Sequence, residues 1–339
     1  MSLKQFKMLT LILFIFSSLL TEGSENSAQE LTIAKYEIMN ELIRDHGFDE
    51  HYVNNIFDQV EFLPELIESI SRPAEKTKSW QEYRGIFLTP KRIAAGVLFA
   101  NQHKELLDRV EEELGVPKKV LLGILGVETS FGKIQGRYEV INSLYTLAVG
   151  YPPRSKFFKE ELINLFYLCR EQDFSITSIK GSYAGAMGAP QFIASSYRNY
   201  AIDGNSDGKI DLFNSWDDVL MSIGNYLNRN GWDPTKDIMS KTNIDISLKE
   251  KLASKTIKPK SNVGDLVAIG VPLDSKLDQT QKAQIIYLEG EQSENISVVG
   301  LHNFYVITTY NRNVMYALAV LELGESIEGI ISPSYEDLF

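Results

Sequence analysis

Apolar residues recur at helical spacing along most of the chain. From Leu31 to about Gly115 the pattern predicts helix-sized segments broken at "DHGFDE", "SRPAEK" and "FLTPKR", with a long amphipathic segment opening at Pro90 and running to Glu113. From Pro117 to about Trp232 the chain again reads as mostly helical, with glycine-rich loops. Between Asp233 and about Thr309 the character changes. "DLVAIGV", "AQIIYLEGE", "NISVVGL" and "FYVITTY" are short β-branched and aromatic runs, which predict a small β module. "VMYALAVLELGESI" then predicts a final helix. The fold class is α+β, mainly α: a helical N-terminal domain over 24–115 joined by the C-terminal helix 312–339, a core over 116–232, and a small β domain over 233–311.

One stretch breaks its own pattern. In "VLLGILGVETSFGKIQG", Val120 to Gly136, Leu121, Ile124, Leu125 and Glu128 fall on one helical face, so a carboxylate occupies the apolar stripe. Pro117 marks a start and Gly132 a stop. Glu128 then lies in the last turn, where the helix dipole disfavours an anion. Burial acts in the same direction, and both favour the protonated form that a general acid needs.

Length and composition narrow the alternatives. The 339 residues, 44% hydrophobic and 23% charged, describe a globular protein of two or three subdomains. A net charge of −11 argues against nucleic acid as the main partner. The four histidines, His46, His51, His103 and His302, form no metal-ligand spacing, and no P-loop, GxGxxG or GxSxG motif is present, so no organic cofactor is expected. Lys4 and Lys7 precede a short apolar run, Met8 to Leu20, and then polar "TEGSENS". This reads as a secretory signal over 1–23, too short for a spanning helix of about 20 residues. The single cysteine, Cys169, sits in a helical segment and reads as a buried structural thiol; none follows the apolar run, so no lipid anchor is expected.

Two further motifs carry chemistry. In "KGSYAGAMGAPQFIASSYRNYA" the small residues allow close backbone approach, while Ser182 and Gln191 offer neutral polar groups suited to a sugar. "DGNSDGKIDLFNSWDD" fits a calcium-loop spacing through Asp203, Asn205, Asp207 and Gly208, with the Lys209 carbonyl as a further ligand. Its twelfth position is Asn214 instead of Glu, so Asp217 is the candidate bidentate acid. Such a calcium would be structural.

"GVETSFG", "GSYAGAMGAPQF", the loop after it, "NYLNRNGW" and "GLHNFYVITTYN", in this order, resemble the lytic murein transglycosylase B family of cell-wall enzymes. The resemblance implies a lysozyme-like core with an EF-hand-like loop over 203–217. It also implies cleavage of the MurNAc–GlcNAc β-1,4 bond of peptidoglycan glycan strands in the periplasm, with formation of 1,6-anhydroMurNAc. Glu128 matches the family's catalytic acid/base. Ser182, Gln191, Tyr83, Arg154, Tyr226, Tyr310, Asn311 and Tyr316 match positions of the cleft, with Pro153 in place of a second basic residue beside Arg154. A hydrolytic muramidase would usually need a second acid, and a non-catalytic peptidoglycan-binding protein would have no need of Glu128.

Overall fold

The computed structural model describes residues 29–72, 78–242, 244, 257–288 and 296–331. The expected signal segment, 1–23, lies outside them. Helix α1 covers 29–44 and is followed by α2 (Glu50–Phe57), α3 (Pro64–Ser71) and α4 (Trp80–Phe87). Local sequence starts several of these. Asp49 caps α2 by accepting from the Tyr52 amide, and Ser79 and Glu82 form a capping box on α4. The amphipathic segment from Pro90 is two helices, α5 (Pro90–Gln102) and α6 (Lys104–Leu114), joined at His103.

The next helix, α7 (Lys118–Thr129), is not a stripe but a rod: every residue from Val120 to Val127 is buried. Beyond it lie β1 (Tyr138–Glu139), α8 (Val140–Gly150), a 3-10 turn at Pro152–Arg154 and α9 (Ser155–Gln172). Cys169 is buried in α9 and its thiol is pushed up to about 12, which keeps it inert. Then follow β2 (Lys180–Gly181), α10 (Ala194–Tyr200) and α11 (Trp216–Arg229).

The segment from Met239 holds β3 (Met239–Lys241), β4 (Ser261–Asn262), α12 (Val263–Ala268), β5 (Lys282–Leu288) and β6 (Ile296–Gly300). The strands form an antiparallel sheet in the order β3-β6-β5-β4, over a small core of its own that includes Val263, Ile285 and Val299. Two of the four runs expected to be strands are helical. "DLVAIGV" lies largely in α12, started by an Asn262–Asp265 capping box. "FYVITTY" lies in α13 (His302–Tyr310), which buries Asn303, Phe304, Val306, Ile307 and Thr308. Tertiary burial overrides β propensity here: α13 packs Phe304, Val306 and Ile307 into the main core, and α12 packs Val263 and Leu266 into the small one.

The last helix, α14 (Val314–Ile331), was expected to join the N-terminal helices. It packs on α4 and α5, but most extensively on α7. Two glycines permit that approach. A Cβ at Gly123 would stand 2.1 Å from the Val320 carbonyl oxygen, and one at Gly324 would stand 2.0 Å from the Lys119 carbonyl oxygen. One large apolar cluster runs from Ile38 through α7 to Ile327.

Candidate active site

Glu128 is half-buried in the last turn of α7. The helix ends on two consecutive non-glycine residues with positive φ, Ser130 (51°) and Phe131 (61°). Such conformations persist only where their surroundings fix them. Here Thr129 does so: its hydroxyl donates to the Ala189 carbonyl at 2.8 Å and accepts from the Gly132 amide at 3.0 Å. The same contact ties α7 to the "GAPQF" segment.

A groove of about 610 Å³ opens over Glu128, lined also by Arg154, Ser182, Gln191, Tyr310 and Asn311. Glu128 is the only carboxylate among the described residues that line it. The Tyr316 hydroxyl donates to Glu128 Oε1 at 2.6 Å. Burial, and then the charge of Glu128, push the Tyr316 phenol well above its ordinary value, so it stays a donor. Tyr310 is raised for the same two reasons; its ring stacks on Tyr316 at 6.3 Å and its hydroxyl donates to the Pro190 carbonyl at 2.6 Å.

Three expected cleft residues, Tyr316, Tyr226 and Tyr83, stand behind the groove lining instead of in it. Tyr226 packs on Tyr310 at 4.8 Å and donates to the Thr309 carbonyl at 2.7 Å. Tyr83 is 2% exposed, edge-on to Phe87, and acts on Tyr316 electrostatically. Tyr226 supports Tyr310, which lines the groove, whereas Tyr83 acts on Tyr316, which is 1% exposed and reaches Glu128 from outside the lining.

The two neutral groups differ in what they present. Ser182 Oγ accepts from the Ala184 and Ala186 amides at 3.3 and 3.0 Å, which leaves its proton to donate. Gln191, held at φ 53°, donates its amide nitrogen to the carbonyls of Gln135 (3.1 Å) and Gly188 (3.0 Å). Two carbonyl neighbours fix the amide orientation, so Gln191 offers an acceptor, Oε1, and not a donor.

Arg154 lies at the rim, its guanidinium 4.1 Å from the Phe157 ring centroid. Phe157, Phe158, Tyr183, Ile193 and Arg312 also line the groove and were not singled out from sequence. Arg312 was readable, since it directly follows Tyr310 and Asn311; the two phenylalanines look like core in sequence. In α9, the buried Glu161 accepts from the Ser195 amide at 2.9 Å and hydroxyl at 2.6 Å. Burial raises the Glu161 pKa against those two bonds.

The loop after Asp203 holds its oxygens close but uses them on its own backbone. Asp203 accepts from the Asp207 and Gly208 amides, Asn205 from the Asp207 amide, and Asp207 from the Lys209 amide. Asp217 does not close the loop. Its carboxylate pairs with Arg109 at 2.8 Å, while the buried Asp218 binds the amides of Gly204 and Asp211. Asn214 turns its amide to Asp211 at 2.9 Å. The side chains of Asp203, Asn205 and Asp207, with the Lys209 carbonyl, still fit a hard cation, but the strong twelfth ligand is missing. No group of three or more His, Cys, Asp or Glu is placed to hold a metal among the described residues.

Residues 33–325 match the family model described as the transglycosylase SLT domain. The chain is 32% identical over 302 residues, 86% of its length and 81% of the relative, to membrane-bound lytic murein transglycosylase B of Escherichia coli. It superposes on soluble lytic transglycosylase SltB1 of Pseudomonas aeruginosa with a TM-score of 0.82 and 40% identity, covering 87% of this chain and 98% of that one. For Escherichia coli Slt35, solved in complex with calcium, the values are 0.80 and 31%, with 88% and 93% covered. For Pseudomonas aeruginosa SltB3 in complex with NAG-NAM-pentapeptide they are 0.76 and 29%, with 89% and 80% covered. With a carboxylate-centred groove and a family match across most of its length, the chain belongs to the transglycosylase SLT family.

Proposed function

We propose that this protein is a peptidoglycan lytic transglycosylase that cleaves the MurNAc–GlcNAc β-1,4 bond, with Glu128 as its acid and then its base. The observation that carries this reading is a groove whose described lining has one carboxylate, where most glycosidases place two. With Oε1 held by Tyr316, Glu128 carries its transferable proton on Oε2. It gives that proton to the glycosidic oxygen as the C1–O bond breaks. The resulting carboxylate takes the proton of the C6 hydroxyl of the same MurNAc, whose oxygen bonds to C1 and closes the anhydro ring. Glu128 ends protonated, and no water is consumed.

Ser182 donates and Gln191 accepts toward the sugar, while Tyr310 supplies a rigid ring face. Arg154 and Asn311 bind at the edges. SltB3 has been solved with a NAG-NAM-pentapeptide, which supports a glycan strand as the substrate here. Digestion of purified sacculi tests the reading. Fragments ending in 1,6-anhydroMurNAc, one water lighter than hydrolysis products, are expected; reducing-end MurNAc as the main product would assign a muramidase.

Calcium is a structural ion in this reading, held by Asp203, Asn205, Asp207 and the Lys209 carbonyl, and it takes no part in the chemistry. Slt35 with bound calcium supports it. Export to the periplasm follows from the signal-like segment and from the substrate. No helix among the described residues is long and apolar enough to cross a membrane. Fractionation and N-terminal sequencing check this: a mature chain beginning near Gly23 is the expected form, and an intact Met1 in the membrane fraction the contrary one.

A further inference from the structure

We propose that a second cavity, backing onto the catalytic groove, is a saccharide site for an N-acetylhexosamine unit of a glycan strand. This rests on reading the groove as a peptidoglycan site. The cavity measures about 390 Å³ and is lined by Gln135, Phe174, Ser178, Ile179, Asp211 and Phe213, among others. That lies within the roughly 300–1,000 Å³ of small-ligand sites.

Its chemistry suits a neutral sugar. Phe174 and Phe213 meet edge to face, with centroids 6.2 Å apart and an 81° angle, and Ile179 is buried beside them. Such rings pack on the C–H face of a pyranose. The polar rim is rich in acceptors. Gln135 donates its amide nitrogen to the Gly132 and Phe213 carbonyls, both at 3.3 Å, which leaves Oε1 to accept. Asn214 spends its amide nitrogen on Asp211 and keeps its Oδ1. The one cation among the described residues of the lining, Lys180, is paired with Glu139 at 2.9 Å. With Asp173 and Asp211 also in the lining, an anionic ligand is disfavoured, and hydroxyl and amide N–H donors are matched.

The position of the cavity links it to the reaction. Gln191, in the groove, donates to the Gln135 carbonyl at 3.1 Å, and Gln135 also lines the second cavity. The wall between them is backbone packed on backbone: a Cβ at Gly136 would stand 2.0 Å from the Gly181 carbonyl and 2.5 Å from the Ser182 amide nitrogen. Another wall is the back half of the Asp203 loop, where Asp211 accepts from the Phe213 and Asn214 amides at 2.8 and 3.0 Å. That loop, otherwise remote from the chemistry, thereby shapes a glycan contact.

The full-length Glu128→Gln protein, titrated with chitobiose and followed by amide NMR, tests the proposal. Two sets of resonances should shift: one at Gln191 and Asn311, the other at Phe174 to Lys180 and Phe213 to Asn214. Ser178→Trp fills the cavity from an exposed rim position and should weaken the second set at least tenfold while sparing the first. Ser175→Trp, also exposed, repeats the block should the first variant fold poorly. Shifts confined to the groove, unchanged by either variant, overturn the second site and leave the groove's reading intact. Absence of groove shifts, together with absence of anhydro products from the wild type, overturns the reading of the groove itself.

Discussion

In the proposed mechanism, Glu128→Gln keeps the side chain's volume but removes both the donated proton and the later base. General acid–base catalysis accounts for about 10²–10⁴-fold in rate, and without a second carboxylate in the described lining the loss should reach the upper end. Turnover of sacculi measures it. Tyr316→Phe addresses the same group more finely. The hydroxyl at 2.6 Å stabilises the carboxylate form of Glu128, so its removal should make the acid harder to ionise. The alkaline limb of the kcat/KM profile should then move to higher pH; a limb that stays in place would deny the hydrogen bond a tuning role. Glu128 was legible in sequence because a carboxylate inside an apolar helical run is a local anomaly. The polarity of Gln191 was not, since the two carbonyls that orient its amide come from Gln135 and Gly188.

Between elements, the α7–α14 contact fixes the distance from Glu128 to Tyr316. Gly123→Ala would gain about 1 kcal/mol of helix propensity. It would also push a methyl into the Val320 carbonyl, a backbone atom that has nowhere to go, at a cost of about 3 kcal/mol. The net effect should be a loss of about 2 kcal/mol in denaturant unfolding, with reduced turnover because the carboxylate shifts against Tyr316. Glu161 joins α9 to α10 through Ser195. Its pKa is raised by burial, so the native state holds that proton more tightly than the unfolded chain. Stability from this group is greatest below the unfolded value, about 4.3, and is lost as pH rises through the folded one. Relative to Glu161→Gln, the wild type should therefore gain melting temperature as pH falls from neutral; a constant difference would refute it. The helices of the first half were readable from periodicity and caps, and β5 and β6 from β-branched runs. "FYVITTY" was misread because its burial against the main core, not its composition, decides its conformation.

For the molecule as a whole, calcium should act through stability. Binding to the native state alone contributes about RT ln(1+[Ca]/Kd), roughly 2.7 kcal/mol at 100 times Kd. Asn214 in the twelfth position and Asp217 paired with Arg109 predict a modest affinity. Melting should rise with added calcium and fall with EDTA, and Asp207→Ala should abolish the difference; equal midpoints in all three cases would reject the ion. By itself the sequence determined what is local: the mainly helical course, the carboxylate on an apolar helix, the polar residues of the "GSYAGAMGAPQF" segment and the spacing of loop oxygens. Each is written within a few turns of chain, where periodicity and backbone chemistry act. The tertiary structure alone decided the pairings across long separations. It set Tyr316 on Glu128, Arg109 on Asp217 and Ser195 on Glu161, and it placed Tyr226 and Tyr83 behind the cleft wall. Those partners depend on which helices pack together and at what distance, and that is fixed by burial over the whole core.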